Sequence, residues 1–240
     1  MDEPVLFDIE EKVAVITLNR PDRRNAINQA LLIKLYDCLE EVERNSDISV
    51  AVLTGSGTTF CAGLDLSVIV TENLMDPRED GTDLMDIVKA CKKPLIGAIN
   101  GHAITGGFEL ALNCDFLIAS ENASFADTHA KIGIHPGWGM SQLLQDAIGR
   151  RRALQMSLSC RFINAEQAFN WGLVNEVVPS DALMTRVKQI AKDICSVNPY
   201  MMQKVKNLIE YRRGTTLTQA LAHEKEDFTA FLESLKTVST

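Results

Sequence analysis

The stretch that most constrains this chain lies at residues 94–115. An apolar run over 94–99 enters a turn marked by Gly101, Gly106 and Gly107, and a helical pattern leaves it, with Phe108, Leu110, Ala111 and Leu112 around a single carboxylate, Glu109. A strand feeding a glycine turn and then a helix start leaves backbone N–H groups without partners at the positive end of the helix dipole, a place to hold developing negative charge. Gly106 and Gly107 lack a Cβ, so a ligand atom can come close to those N–H groups. Glu109 falls about one turn into the helix, near whatever binds there, and suits proton transfer. The same residues also fit a glycine-rich helix start carrying a solvated glutamate, and the segment alone does not decide between the two.

A second turn of this kind follows the apolar strand at 50–53. Gly55, Gly57 and Gly63 punctuate it, and it ends in Ala62-Gly63-Leu64-Asp65-Leu66. Two glycine turns, each placed after a strand, suggest two backbone donors converging on one oxygen.

The rest of the chain alternates strands with helices. Residues 5–9 and 13–18 are rich in β-branched side chains and predict a hairpin. Residues 30–43 carry Leu31, Leu35, Leu39 and Val42 on one face and predict an amphipathic helix. The polar, acidic run 71–83 predicts a mobile loop, 84–91 a short helix, and 116–119 and 174–178 strands. Helical patterns cover 140–148, 151–159 and 165–171, the last with Asn164 as its N-cap, and then 182–195, 199–211 and 217–235. This is an α/β core, residues 1–180, followed by a helical C-terminal region, residues 181–240, with no linker long enough to mark an independent second domain.

With 240 residues, 46% of them apolar, the chain can bury a full core. A net charge of −8 argues against nucleic acid or an anionic membrane as the main partner. No apolar run has the length of a membrane span, the first residues have neither the basic nor the apolar region of a signal peptide, and Val238-Ser239-Thr240 is not a peroxisomal address, so a cytoplasmic location is expected. The cysteines (Cys38, Cys61, Cys91, Cys114, Cys160, Cys195) sit scattered in apolar patterns and the histidines show no ligand spacing, so buried thiols and no metal site are expected. Arg20, Arg23 and Arg24 crowd one loop, which is either a solvated turn or a grip for a phosphate.

Together these motifs resemble the enoyl-CoA hydratase/isomerase (crotonase) family. Phe60-Cys61-Ala62-Gly63-Leu64-Asp65-Leu66 and Gly106-Gly107-Phe108-Glu109-Leu110-Ala111 carry the likeness. Asn19-Arg20-Pro21, Asn25-Ala26, Lys93-Pro94, Ala98-Ile99-Asn100-Gly101, Cys114-Asp115, Ile132-Gly133, Pro136-Gly137, Ala165-Glu166-Gln167-Ala168 and Gly172-Leu173-Val174 support it in the family's order, across essentially the whole chain. The resemblance implies a crotonase-like spiral of strand–strand–helix units with a helical C-terminal region that serves oligomerisation or forms a lid. It implies homotrimers or homohexamers and an acyl-CoA thioester substrate; coenzyme A is part of that substrate, and no separate cofactor or metal is implied. It also implies an oxyanion hole built from the N–H groups of Leu64 and Gly106, with Gly107 beside it. Ala62, Asp65 and Leu66 then lie along the adenosine and pantetheine of CoA, and Arg24 near its phosphates.

Glu109 matches the first of the two glutamates used by family hydratases, and His129 stands where the second is expected. Neutral imidazole could hydrogen-bond the attacking water and imidazolium could deliver a proton, so His129 is either an assisting catalytic residue or a pocket-lining residue bonded to a carbonyl. Asp127 would face the same way as His129 in an extended segment and diverge from it in a helical turn. Trp138 either lines the acyl pocket or packs as part of a lid. Lys204, Lys206, Arg212 and Arg213 form either a solvated face or a contact with a neighbour's CoA phosphates. The resemblance implies first an enoyl-CoA hydratase-like enzyme, with a Δ3-Δ2-enoyl-CoA isomerase and an acyl-CoA-binding protein with little turnover as the alternatives.

Overall fold

The computed structural model describes residues 3–238. The chain forms β1 (Val5–Glu10), β2 (Val13–Leu18), α1 (Gln29–Arg44), β3 (Val50–Gly55), β4 (Thr59–Cys61) and α2 (Leu84–Ala90). It continues through β5 (Leu95–Ile99), β6 (His102–Ile104), α3 (Gly106–Leu112), β7 (Phe116–Ser120), β8 (Ser124–Ala126) and α4 (His129–Ile132). After these come α5 (Met140–Ile148), α6 (Arg150–Ser159), β9 (Ile163–Asn164), α7 (Ala165–Trp171), β10 (Glu176–Val178), α8 (Leu183–Cys195), α9 (Pro199–Tyr211) and α10 (Leu217–Val238).

The strands make two sheets, one in the order β1-β2-β3-β5-β7-β10 and one in the order β4-β6-β8-β9. Among the described residues only the outer pairs β1/β2 and β8/β9 are antiparallel. A unit therefore repeats: β3–β4–α2, β5–β6–α3 and β7–β8–α4 each place a long strand in the first sheet, a three-residue strand in the second, and then a helix. β4 and β6 fall where the sequence pattern showed turns, because three residues are too few to display alternation.

Alternation along the long strands divides the core in two. Ala51, Leu53, Leu95 and Ile99 join the cluster that holds Leu31, Leu35 and Leu39 of α1. Val50, Val52, Ile96 and Ala98 join Leu183, Val187 and Ala191 of α8. Both faces of the parallel sheet are thus covered, which its continuous apolar strands require. Because α8 closes one face, the first compact unit runs to Ser196 and the second begins at Val197, later than the residue 180 boundary expected from sequence. The periodicity of 182–195 shows an apolar stripe but not what the stripe packs on.

Several motif residues prove to be polar clamps. The Lys93 ammonium donates to the Val42 and Asn45 carbonyls at 2.7 Å each, satisfying the end of α1. The Asp115 carboxylate accepts from Leu95 N at 2.8 Å while its own N–H donates to Leu95 O at 2.8 Å. The acidic run 71–83 is pinned to α1: Gln29 N donates to Glu72 (2.7 Å), Gln29 Nε2 to the Pro77 carbonyl (2.8 Å), and Arg78 pairs with Asp37 and Glu40 at 2.6 and 2.7 Å. These contacts tie down the segment read from composition as a mobile loop.

Asn25 is fully buried, with φ +54°, a left-handed conformation that asparagine tolerates better than most residues. Its Nδ2 donates toward the carbonyls of Ser56 (3.0 Å), Thr59 (2.7 Å) and Phe60 (3.1 Å), and its Oδ1 accepts from Arg20 N at 2.9 Å. Asn25→Ala strands those buried groups at a cost of roughly 3 kcal/mol. The expected result is a lower midpoint of urea unfolding with an unchanged m-value.

Candidate active site

Strands β4, β6 and β8 lie side by side and parallel, so their C-terminal ends open on one edge. Ligands in parallel sheets collect at such an edge. Leu64 follows the end of β4, Gly106 the end of β6 and His129 the end of β8.

Leu64 forms an isolated parallel bridge with Ile27, in which Ile27 N donates to Gly63 O and Asp65 N to Ile27 O, both at 2.8 Å. Because backbone polarity alternates along an extended chain, the Leu64 N–H points to the opposite side. Gly106 opens α3, where the first N–H groups have no acceptor within the helix. The two turns touch: an ideal Cβ on Gly106 would lie 3.5 Å from Leu64 N, and one on Gly63 (φ +96°) would lie 3.3 Å from Gly106 N. Gly107 serves packing rather than ligand access, since a Cβ there would lie 2.2 Å from the Cys61 carbonyl.

Thr105, with φ +54° and ψ −114°, carries the turn into α3 in a conformation costly for a β-branched residue. Its N–H donates to Ala126 O (2.9 Å), and its hydroxyl contacts the Thr128 hydroxyl (2.5 Å) and accepts from Thr128 N (3.2 Å). The second repeat unit is thereby fastened to the third.

Glu109 is 2% exposed, which excludes the solvated glutamate. Its Oε1 accepts from Trp138 N at 2.8 Å and Met140 N at 3.1 Å. Its Oε2 faces Nε2 of His129 at 3.6 Å. Burial pushes the Glu109 carboxyl above its ordinary pKa, against the two backbone donors that favour the anion. On the far side of the imidazole, Nδ1 lies 2.7 Å from Oδ1 of Asp127, which also accepts from His129 N at 3.2 Å. Burial works against the Asp127 anion too, but hydrogen bonds from His129 and Ser157 hold this carboxyl below its ordinary range. Asp127 and His129 thus pair although His129 opens a helix, because Asp127 sits just before that helix and reaches forward over its first N–H.

Trp138 is 2% exposed and packs against the oxyanion turn, its Cζ3 3.5 Å from an ideal Cβ on Gly106. Its Nε1 has no hydrogen-bond partner among the described residues. Ala62 N donates to Arg24 O at 3.0 Å, which brings the arginine loop to the β4 turn with the Arg24 side chain exposed. Arg20 is committed elsewhere, paired with Asp65 at 3.1 Å and bonded to the Ala26 carbonyl. Asp65 also accepts from the Ser67 hydroxyl at 2.6 Å, the largest of the causes that lower its pKa. Leu66 is 54% exposed. In the C-terminal helices Lys204 pairs with Asp227 at 2.6 Å, Arg213 pairs with Glu210 at 3.2 Å, and Arg212 bonds the Thr215 carbonyl. Among the described residues no group of histidine, cysteine and carboxylate side chains could hold a metal ion. Met140 contributes only a backbone N–H and so carries no signal in the sequence, while Thr105 was legible only as the residue before the glycine pair.

The raised Glu109 pKa has a consequence for stability. Between the carboxyl pKa of the unfolded chain, about 4.3, and the higher folded value, the native state holds the proton that the unfolded state has lost, so stability falls as pH rises through that window and stays lower above it. Glu109→Gln keeps an acceptor for Trp138 N and Met140 N without the buried charge. It should melt higher than the wild type at pH 7, with the difference vanishing below the unfolded carboxyl pKa, as calorimetry across pH would show.

The family model for enoyl-CoA hydratase/isomerase matches residues 8–238. A probable peroxisomal enoyl-CoA hydratase of Arabidopsis thaliana is 38% identical over 93% of this chain and 84% of its own length. The crotonyl-CoA hydratase of Syntrophomonas wolfei is 35% identical over 98% and 96%. A solved enoyl-CoA hydratase subunit from Geobacillus kaustophilus superimposes with a TM-score of 0.89 at 30% identity, covering 96% of this chain and 90% of that one. With the strand–strand–helix repeat, the paired glycine turns and the buried glutamate in place, the chain belongs to the enoyl-CoA hydratase/isomerase family.

Proposed function

We propose that this protein hydrates a 2-trans-enoyl-CoA, with Glu109 as acid/base, the N–H groups of Leu64 and Gly106 as oxyanion hole and His129 assisting. The observation that carries the reading is the buried Glu109 carboxylate, one oxygen held by two backbone donors and the other turned toward His129, on the helix that opens at Gly106, whose turn adjoins the Gly63 turn. The thioester oxygen accepts from both amides. Glu109 takes one proton from water as the water oxygen bonds to Cβ, and the double-bond electrons move to Cα and the carbonyl oxygen. The resulting enolate is held by the two N–H groups. Glu109 then returns the proton to Cα, so that one water has been added in all. A raised pKa brings the carboxyl nearer the working pH, as proton exchange in both directions requires. Arg24, exposed beside Ala62, faces the CoA phosphates; Ala62 and Leu66 lie along the rest of CoA on the turn that Asp65 braces through Arg20. CoA arrives with the substrate, and the chemistry needs no other cofactor.

A second reading, isomerisation of a 3-enoyl-CoA, draws on the histidine at position 129: a single carboxylate can carry a proton between two carbons without activating water. For self-association as a homotrimer or homohexamer, support comes from apolar side chains left in solvent: Leu158, Phe162 and Phe169 in the first unit, and Ile209, Leu221 and Phe228 along α9 and α10 in the second.

Incubation with 2-enoyl-CoAs of several lengths should consume the conjugated thioester absorbance. A 3-enoyl-CoA that instead generates that absorbance indicates the isomerase, and binding without conversion indicates an acyl-CoA-binding protein. Glu109→Gln should keep acyl-CoA binding while kcat falls on the order of 10³-fold. Gly106→Ala adds a methyl in ordinary contact, 3.5 Å from Leu64 N, so the variant should fold. The methyl crowds the oxygen's place, and kcat/KM should fall about 10²- to 10³-fold. Light scattering should give three or six times the 26.5 kDa chain mass.

A further inference from the structure

We propose that Asp127 is a positioning residue for this reaction: it fixes His129 as a hydrogen-bond donor at Nδ1, so that Nε2 is the ring atom that exchanges a proton beside Glu109. The inference rests on the hydratase or isomerase reading of the site and adds a residue to it. Three side chains carry it: Glu109, His129 and Asp127, exposed by 3%, 7% and 4%, stand in line with Asp127 Oδ1 2.7 Å from Nδ1 and Glu109 Oε2 3.6 Å from Nε2.

The order of roles follows from donor and acceptor capacity. An ionised carboxylate only accepts, and Asp127 is anchored as an acceptor once more, by His129 N at 3.2 Å. Nδ1 must then carry hydrogen. The neutral ring presents a lone pair at Nε2 and the charged ring a hydrogen there; in both states the exchangeable site faces Glu109. Without Asp127 the ring would be free to hold its proton at Nε2 when neutral, and Nε2 could no longer accept one. The titratable groups facing the ring are Glu109 from α3 and Asp127 from the end of β8, while Lys131 on its own helix is exposed. His129 so held can pass one proton to and from the carboxyl of Glu109, directly or through the reacting water, which is the task a second carboxyl would perform. No proton is gained or lost in the cycle.

The test uses the full chain labelled with ¹⁵N-histidine, with His129 assigned by the signal missing in His129→Gln. Long-range ¹H–¹⁵N correlation should show neutral His129 as the Nδ1–H tautomer in the wild type and a rising Nε2–H share in Asp127→Ala. In that variant kcat should fall on the order of 100-fold, with KM changed less than about threefold, because substrate contacts are left alone. Asp127→Asn, which keeps an acceptor and a similar volume, should fold even if the alanine variant does not, and should show a smaller fall in kcat. A wild-type His129 found as the Nε2–H tautomer overturns the proposal, as does a loss of kcat with the tautomer unmoved, which would mark Asp127 as merely structural. If no enoyl-CoA is turned over by the wild type, the proposed activity fails, and the tautomer measurement still decides whether Asp127 sets the ring.

Discussion

Backbone packed directly against backbone at the glycine turns is the constraint on which the rest of this structure depends. A Cβ on Gly101 would lie 1.9 Å from the Thr58 carbonyl, and one on Gly107 2.2 Å from that of Cys61. Real side chains cannot sit that close, so any residue larger than glycine would force the second repeat unit away from the first. The spacing that lets β6 pair with β4 also sets the Gly63 turn against the Gly106 turn. The contacts at Gly101 and Gly107 thus hold the first two repeat units together beside the candidate site.

The sequence made the polar ends of this arrangement legible and hid its middle. Glu109 stood out as the single carboxylate in an apolar helix, and the two glycine turns marked where its neighbours would be. The strands β4, β6 and β8 escaped notice because each is three residues long and pairs only with chain far away in sequence, so no local period reveals them. The same holds for the clamps: Asn25, Lys93 and Asp115 carry no periodic signal, and only tertiary contact shows that each satisfies buried backbone groups. The boundary at Ser196 was hidden for a related reason, since an amphipathic helix announces that it has a partner without saying which one.

The arginine loop shows how a charge cluster divides when it is folded. Arg20 turns inward to Asp65 and to the Ala26 carbonyl, fixing the turn that bears Leu64, while Arg24 stays exposed next to Ala62. Composition treats the two as equivalent, yet one holds the scaffold and the other stays in solvent. Such a split follows from desolvation, since a guanidinium taken partly out of water needs a carboxylate and carbonyls around it.

At position 129 the histidine and Asp127 belong together. The residue there opens α4, and the aspartate before it reaches over the helix start, so the imidazole has an acceptor for Nδ1 within its own turn. A glutamate at 129 beside Asp127 and Glu109 would put three carboxyl groups in one buried space. Like charges at that range cannot all ionise, and each would be pushed toward its protonated form. An imidazole between two carboxyl groups relieves that repulsion, because it donates to one and faces the other with a site that can either give or take a proton. The repeat architecture makes such a change possible: the third unit delivers its side chain from its own turn, and what stands at its tip can be exchanged while the amides of the first two units keep their places.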